Sequence, residues 1–239
     1  MRFEAMTRPE ILAAAVRDAV IVVPTGCTEQ QGPHLPVGFD SWFAQRLAEE
    51  AAEVSDRRGV PALVMPTLPF GPTPEHRGFG AGFVYLPSEV HNAVINAVVR
   101  SVIDQGFRRI LIWRGCGGHD LRDVVEGVRG AHGGVLVAMP EMPFAELWCR
   151  LGDADVPGGH ADSFTTSIAL ALWPDSVRTE QIPGPSRVPE WDREPLDFTD
   201  FSDSGVIGDP RFGSAELGRQ LHAESVAWLA GQIEELSRG

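Results

Sequence analysis

The fold is decided by the stretch Pro24-Thr-Gly-Cys-Thr-Glu-Gln-Gln-Gly-Pro-His-Leu-Pro-Val-Gly-Phe-Asp40, which follows directly on an apolar run at residues 19–23. The apolar run predicts a buried strand, and the Gly- and Pro-rich stretch after it predicts a loop. This loop carries Glu29, His34 and Asp40. Loops that are held in place by a buried strand are where active sites are commonly built.

Apolar runs and helical patterns alternate along the rest of the chain. Short apolar runs predict buried strands at residues 19–23, 62–65, 110–113 and 135–139. Apolar residues at three-to-four spacing predict amphipathic helices at residues 41–52, 88–105 and 121–131. The alternation predicts an α/β fold with a largely parallel sheet and helices on both faces. Because ligands bind beyond the carboxyl ends of such strands, the site is expected in the loops that follow them.

The length of 239 residues suits one well-cored domain, and we predict a single domain over residues 1–239. A region rich in Pro, Asp and Ser predicts an irregular arm at about residues 182–210. A final helix is expected at about residues 214–236. No internal repeat and no linker marks a second domain.

Composition excludes several classes of function. The chain contains no Lys, which removes Schiff-base and lysine-nucleophile chemistry. A net charge of −13 disfavours nucleic acid and anionic membranes as partners, since both require a cationic surface. No apolar run is long enough to span a bilayer. The N-terminus lacks the apolar core of a signal peptide, so a cytoplasmic location is expected.

The loop carboxylates Glu29 and Asp40 could hold a divalent ion together with an imidazole such as His34 or His160. The alternative is that they only cap helices, as loop acids often do. Cys116 stands on a Gly-rich loop before a helix whose N-terminal dipole favours a thiolate, so it could act as a nucleophile. The alternative for Cys116 is a small buried side chain.

Other cysteines and histidines are expected to have no special role. Cys27 and Cys149 are expected to be small buried side chains. His91 and His222 lie in helical segments away from the loops and are expected to be solvated.

Five motifs occur in order along the chain and together resemble the creatininase family of metal-dependent amidohydrolases. They are Gly26-Cys-Thr-Glu-Gln-Gln-Gly-Pro-His-Leu-Pro followed by Asp40, Glu75-His-Arg-Gly-Phe-Gly-Ala-Gly82, Arg114-Gly-Cys-Gly-Gly-His119, His160-Ala-Asp-Ser-Phe-Thr-Thr-Ser167 and Gly205-Val-Ile-Gly-Asp-Pro. The last of them is similar to the tail of the branch associated with mycofactocin maturation. The resemblance implies a creatininase-like three-layer α/β/α fold.

The resemblance also implies a metal site, and this chain departs from the family at several of its positions. Family members hold two metal ions that share a bridging water or hydroxide. Matched position by position, Glu29 and Asp40 are retained, whereas Gln31 and Cys116 replace two histidines and Thr165 replaces a glutamate. A neutral Gln amide is a poor ligand for zinc or manganese. We therefore expect either no metal or one divalent ion, zinc or manganese, rather than two.

The residues of these motifs are the candidates for catalysis, substrate binding and metal binding. The catalytic candidates are Glu29, Cys116, His119 and His160. The candidates for substrate binding are His34, His76, Arg114 and Asp162. The candidate metal ligands are Glu29, Asp40 and Cys116. Arg114 would bind a carboxylate or phosphate of the substrate, or would neutralise Glu29 and Asp40 in place of a metal.

Three functions remain open on these grounds. The favoured one is an enzyme that acts on an amide, a cyclic amide or a related C–N bond of a small molecule or peptide, with a repurposed metal site, in cofactor or secondary-metabolite biosynthesis. The second is a conventional two-metal amidohydrolase with substituted ligands. The third is a non-catalytic binding protein or oligomer scaffold. Family resemblance further implies a homo-oligomer, a hexamer.

Overall fold

The structure is a computed structural model that describes residues 1–192 and 194–239. Its strands are β1 (Val20–Thr25), β2 (Ala62–Val64), β3 (Arg109–Arg114) and β4 (Leu136–Ala138). Its α-helices are α1 (Arg8–Val16), α2 (Phe39–Arg57), α3 (Ser88–Asp104), α4 (Arg122–Ala131), α5 (Phe144–Leu151), α6 (Ser163–Leu172) and α7 (Ala215–Arg238). Short 3-10 helices occur at Phe3–Ala5, Pro74–Phe79, Pro174–Ser176, Thr179–Gln181 and Phe198–Asp200.

The four strands form one parallel sheet in the order β2-β1-β3-β4. The two inner strands, β1 and β3, pair over their full length, from Val20 opposite Arg109 to Thr25 opposite Arg114. The paired strands extend beyond the apolar runs that predicted them, to Thr25 and Arg114, because backbone hydrogen bonds between strands do not require apolar side chains. The predicted α/β fold with a largely parallel sheet is confirmed.

Helices cover both faces of the sheet. Side chains alternate along β1, so Val20 and Val22 pack on one face and Ile21 and Val23 on the other. The first face is covered mainly by α2, α6 and α7 and the second mainly by α1, α3 and α4. This gives the three layers that the family resemblance implied.

Three helices were not predicted by periodicity, α1, α5 and α6, because each is short and α6 is apolar around most of its circumference. The final helix α7 is capped at Ser214, whose hydroxyl accepts a hydrogen bond from the Leu217 amide. The assignment of one domain over residues 1–239 stays a prediction. In the part of the chain that the structure describes, no helix is both long and apolar enough to cross a membrane.

Three expectations about individual side chains are wrong. Cys149 is exposed rather than buried, because it lies on the outer side of α5. His91 is fully buried, since α3 presses it against the interior. His222 is also buried and lies 2.7 Å from Glu50 Oε2, so α7 and α2 enclose it.

Candidate functional site

The candidate site lies where β1 and β3 end side by side. The loops after both strands meet there, because the Gly115 amide donates a hydrogen bond to the Thr25 carbonyl at 2.7 Å. Gly115 is required at this point: a β-carbon would stand 2.6 Å from both the Thr25 oxygen and the Ala44 β-carbon. The 3-10 helix Pro74–Phe79 and the turn before α6 complete the surroundings.

Two carboxyl groups occupy the centre of the site. Glu29 is 2% exposed, and its pKa lies well above the usual value because burial disfavours the charged form and because Cys116 and Asp40 lie near it. Burial likewise raises the pKa of Asp40 to about 7. Two adjacent carboxyls with raised pKa values cannot both ionise readily, so the pair retains a proton near neutral pH.

Gln31, which stands where the family motif has a histidine, is bound to Asp40. Its amide nitrogen donates a hydrogen bond to Asp40 Oδ2 at 2.9 Å. Its amide oxygen is buried and has no hydrogen-bond partner among the described residues. Gln31 therefore occupies one carboxylate oxygen that an ion would otherwise use.

We call Glu29, His76 and His160 the imidazole half of the site. His76 Nε2 and His160 Nδ1 each lie 3.6 Å from Glu29 Oε1, and the two rings are 4.6 Å apart between centroids. Burial lowers the pKa of His76 to about 2 and that of His160 to about 4. Both imidazoles are therefore neutral at pH 7, and each has one N–H and one lone pair.

The Gln30 side chain assigns the tautomer of His76. Its amide oxygen accepts a hydrogen bond from the Gly32 amide at 2.9 Å, and its nitrogen donates to the Gly205 carbonyl at 2.9 Å. The same nitrogen lies 3.0 Å from His76 Nδ1, so Nδ1 must accept. The proton of His76 is therefore on Nε2, the atom that faces Glu29.

The Gln30 backbone assigns the tautomer of His160 in the opposite sense. His160 Nε2 lies 2.6 Å from the Gln30 carbonyl oxygen, which can only accept, so Nε2 carries the proton. The lone pair of His160 Nδ1 then faces Glu29. Glu29 thus stands between one N–H and one imidazole lone pair, an arrangement that can both stabilise a carboxylate and remove a proton from a carboxylic acid.

We call Cys27, Cys116 and His119 the thiol half of the site. Their ligand atoms all lie within 4.8 Å of one another. His119 Nε2 is 3.1 Å from Cys27 Sγ, and His119 Nδ1 is 3.0 Å from Thr25 Oγ1. The neighbouring Cys116 thiol and burial raise the pKa of Cys27, so Cys27 is a thiol that can donate to Nε2.

The protonation of His119 follows from its neighbours. Burial, His91 and Arg114 lower its pKa to about 3, so the ring is neutral. With Nε2 accepting from Cys27, Nδ1 carries the proton and donates to Thr25 Oγ1. The two halves meet at the carboxyls, because Cys27, Glu29 and Asp40 also have ligand atoms within 4.8 Å of one another.

The remaining predicted residues lie around these two halves. His34 Nε2 is 2.9 Å from Thr166 Oγ1 on α6. Arg114 donates to the His119 carbonyl at 2.6 Å and to Glu141 at 2.8 Å, so its terminal nitrogens are directed to these groups rather than to Glu29 or Asp40. Asp162 caps α6 by accepting from the Thr165 amide at 3.1 Å and also accepts from the Gly159 amide at 2.7 Å.

Two residues that shape the site were not predicted to do so from the sequence. Cys27 was expected to be only a small buried side chain, yet it contacts His119 and lies beside Cys116. The spacing of Cys27 and Glu29 could have indicated this position. The two residues are two apart, and side chains two apart on an extended segment point to the same side. Gln30 offered no such signal, because its role depends on contacts with residues as distant as Gly205.

Comparison with known proteins gives a consistent result. The family model for creatininase, described as creatinine amidohydrolase, matches residues 4–233. A mycofactocin precursor peptide peptidase of Mycolicibacterium smegmatis is 30% identical over 223 residues, which cover 90% of this chain and 84% of that protein. A creatinine amidohydrolase of Pseudomonas putida is 24% identical over 249 residues, covering 92% of this chain and 91% of that protein.

Solved structures show the same similarity. A Bacteroides fragilis protein, solved as a candidate creatinine amidohydrolase, superimposes with a TM-score of 0.83 at 26% identity. The match covers 92% of this chain and 90% of that chain.

Proposed function

The chain belongs to the creatininase family, as its five motifs predicted, and from that premise we propose that it hydrolyses an amide bond of a peptide or a cyclic amide. The observation that carries the proposal is the position of Glu29. It is buried between the His76 N–H and the His160 lone pair, 3.6 Å from each nitrogen. A buried carboxyl with a raised pKa and two neutral imidazoles is suited to moving protons near neutral pH.

The relatives support the class of reaction. One is named as a peptidase and another as an amidohydrolase, and both names describe cleavage of an amide C–N bond. The peptidase is the more similar of these two, at 30% identity, which favours a peptide substrate and a role in biosynthesis. The Gly205-Val-Ile-Gly-Asp-Pro motif points to the same branch.

The residues do not fit the two-metal centre that the family resemblance implies. Gln31 presents its amide N–H groups to Asp40 and so blocks an oxygen that would serve as a ligand. His76 directs an N–H, not a lone pair, toward Glu29, and at 3.6 Å this Nε2 has no hydrogen-bond partner among the described residues. Two carboxylates without an imidazole ligand beside Asp40 are too few to hold two ions. We therefore assign the proton transfers to the protein's own groups.

In the proposed reaction Glu29 acts as the general base. Its carboxylate accepts a proton from a water molecule as the water oxygen bonds to the amide carbon. The His76 N–H stabilises the carboxylate form of Glu29 before the transfer. The raised pKa of Glu29 makes its carboxylate form a stronger base than an ordinary carboxylate, and in that form the proton that the pair retains lies on Asp40.

The second proton transfer completes the reaction. The proton held by Glu29 passes to the departing amide nitrogen as the C–N bond breaks, which gives an amine and a carboxylic acid. His160 Nδ1, whose lone pair faces Glu29, accepts the proton transiently when the leaving nitrogen is not in line with Glu29. Water is consumed, and the protein returns to its starting protonation state.

Three further expectations stay with this proposal. A homo-oligomer, such as the hexamer that the resemblance implies, stays a prediction. So does a cytoplasmic location. The third is substrate binding, which we propose for His34 and Arg114. The role of Asp162 is proposed as indirect, because its carboxylate caps α6 and holds the turn before it.

An assay with peptides and cyclic amides tests the proposal. Wild-type protein is expected to convert at least one class to products heavier by one water, detected by mass spectrometry, and Glu29→Gln is expected to lose about 10²–10⁴-fold in rate. Glu235→Gln is the matched control, because Glu235 is exposed on α7. A Glu29→Gln variant that hydrolyses as fast as wild type would show that Glu29 is not the base.

A further inference from the structure

The thiol half of the site contains three side chains of the kind that bind soft divalent cations. We propose that Cys27, Cys116 and His119 form a site for one zinc-class ion. Two thiolates and one imidazole are a frequent zinc donor set, and thiolates favour zinc over manganese. The site shares Cys116 with the positions that the family resemblance assigns, and it adds Cys27 and His119, which do not belong to that set.

The distances suit such an ion. A tetrahedral zinc ion with Zn–S bonds of about 2.3 Å and Zn–N bonds of about 2.0 Å places its ligand atoms about 3.5–3.8 Å apart. The three ligand atoms already lie within 4.8 Å of one another, and the His119–Cys27 pair is 3.1 Å apart. The ion therefore requires shifts of only a few tenths of an ångström for that pair.

His119 is oriented as a metal-binding histidine. Ligating histidines commonly donate their other N–H to an oxygen atom, which fixes the ring and its tautomer. Here His119 Nδ1 donates to Thr25 Oγ1 at 3.0 Å, and the lone pair of Nε2 faces Cys27. The orienting partner is therefore in place before any ion binds.

Gly71 packs its backbone against the Nε2 edge of His119. A β-carbon at Gly71 would lie 2.1 Å from His119 Nε2 and 2.7 Å from Cε1, so only glycine allows this close approach. The contact helps to hold the ring in the orientation that brings Nε2 to 3.1 Å from Cys27 Sγ.

A carboxylate is close enough to act as the fourth ligand. Cys27, Glu29 and Asp40 have ligand atoms within 4.8 Å of one another. Glu29 Oε2 is buried and has no hydrogen-bond partner among the described residues. Binding would release the two thiol protons, so the ion and two thiolates are together neutral, and an ionised Glu29 as the fourth ligand gives the site a net charge of −1.

Cobalt(II) is the probe that tests the site, because thiolates give bound cobalt a near-ultraviolet charge-transfer band. Metal-free, reduced protein is expected to bind one equivalent of cobalt with this band, and zinc is expected to displace it. Cys27→Ser and Cys116→Ser should each weaken cobalt binding by at least about 10-fold and reduce the band. Cys149→Ser is the control and should change neither the cobalt affinity nor the charge-transfer band, since Cys149 is exposed on α5.

A second variant separates loss of the site from loss of the fold. Thr25→Val keeps all three ligands and removes only the partner of His119 Nδ1, so cobalt affinity should fall about 10–100-fold with the band retained. Far-ultraviolet circular dichroism verifies that each variant is folded. Cobalt binding without a thiolate band, or a folded Cys27→Ser variant with wild-type affinity, would overturn the proposal. The readout is spectroscopic, so it stands or fails independently of amide hydrolysis.

Discussion

The thiol half and the imidazole half share Glu29 as a neighbour but are assembled in different ways. Cys27 and Cys116 each follow the end of a central strand by two residues, and the register that pairs Thr25 with Arg114 brings them together. His76 and His160 come from a 3-10 helix and from the turn before α6, far apart in the chain. The sheet therefore determines the geometry of one half, and loop contacts determine the other.

This difference in assembly is accompanied by a difference in chemistry. In the thiol half a neutral imidazole presents a lone pair beside two sulfur atoms, which suits a soft cation. In the imidazole half an N–H and a lone pair face the same carboxyl, which suits proton transfer. One buried site thus combines two sets of side chains with different chemistry, and Glu29 lies close to both.

Removal of His160 is expected to have the largest effect on the imidazole half. His160→Gln removes the lone pair that faces Glu29, so kcat for amide hydrolysis should fall about 10²–10⁴-fold, measured under saturating substrate. The cobalt band of the thiol half should remain. His132→Gln is the control, because His132 precedes β4 and so lies at the amino end of the parallel strands, away from the site at their carboxyl ends. Loss of the cobalt band in His160→Gln would show that the halves are not separable.

A single-atom change at Gln30 tests the tautomer argument. Gln30→Glu replaces the amide N–H donor with an acceptor, so His76 would have to present its proton from Nδ1 and turn a lone pair toward Glu29. We expect kcat to fall about 10–100-fold, because the carboxylate of Glu29 loses its donor. Nitrogen NMR of the His76 ring should show the proton moving from Nε2 to Nδ1. An unchanged tautomer would contradict the assignment.

The smallest expected effect concerns stability and pH. Burial and His160 lower the pKa of His34 from its ordinary value of 6.5 to about 4, so His34 is neutral in the fold and takes up a proton on unfolding between these values. Its contribution to stability is complete above about pH 6.5 and is lost as pH falls toward 4. His34→Gln should reduce the slope of unfolding free energy against pH, between about pH 5 and 6, by up to about 1.4 kcal/mol per pH unit.

Urea unfolding at a series of pH values measures this slope. Thr166→Val is the matched variant, because it removes the partner of His34 Nε2 but keeps the imidazole. It should lower stability and retain the pH slope. A His34→Gln slope equal to that of wild type would mean that His34 does not titrate as its burial indicates.

The sequence predicted the strands and the location of Glu29 and Asp40 beyond the end of β1, because both depend on local patterns, whereas the roles of these two residues stay predictions. Short apolar runs place β1 and β3, and the loop after β1 carries Glu29 and Asp40 to the strand ends. The same logic placed Cys116 beside them. These features require only the parallel arrangement of neighbouring strands.

Other features could not be predicted because they depend on contacts between distant residues. Arg114 was considered as a cation that neutralises Glu29 and Asp40, but its guanidinium is held by Glu141 and by the carbonyl of His119. The direction of His119, toward Cys27, depends on the hydroxyl of Thr25 in the neighbouring strand. Periodicity contains no information about such side-chain directions.

The backbone at Gly71 has a consequence for the side from which an ion could come and go. It lies over the Nε2 edge of His119, and Cys27 is fully buried on the other side. Cys116 is the one member of the thiol half with solvent exposure. The exposed side of the cluster is therefore the Cys116 side, and an ion that leaves there must first lose Cys116 as a ligand.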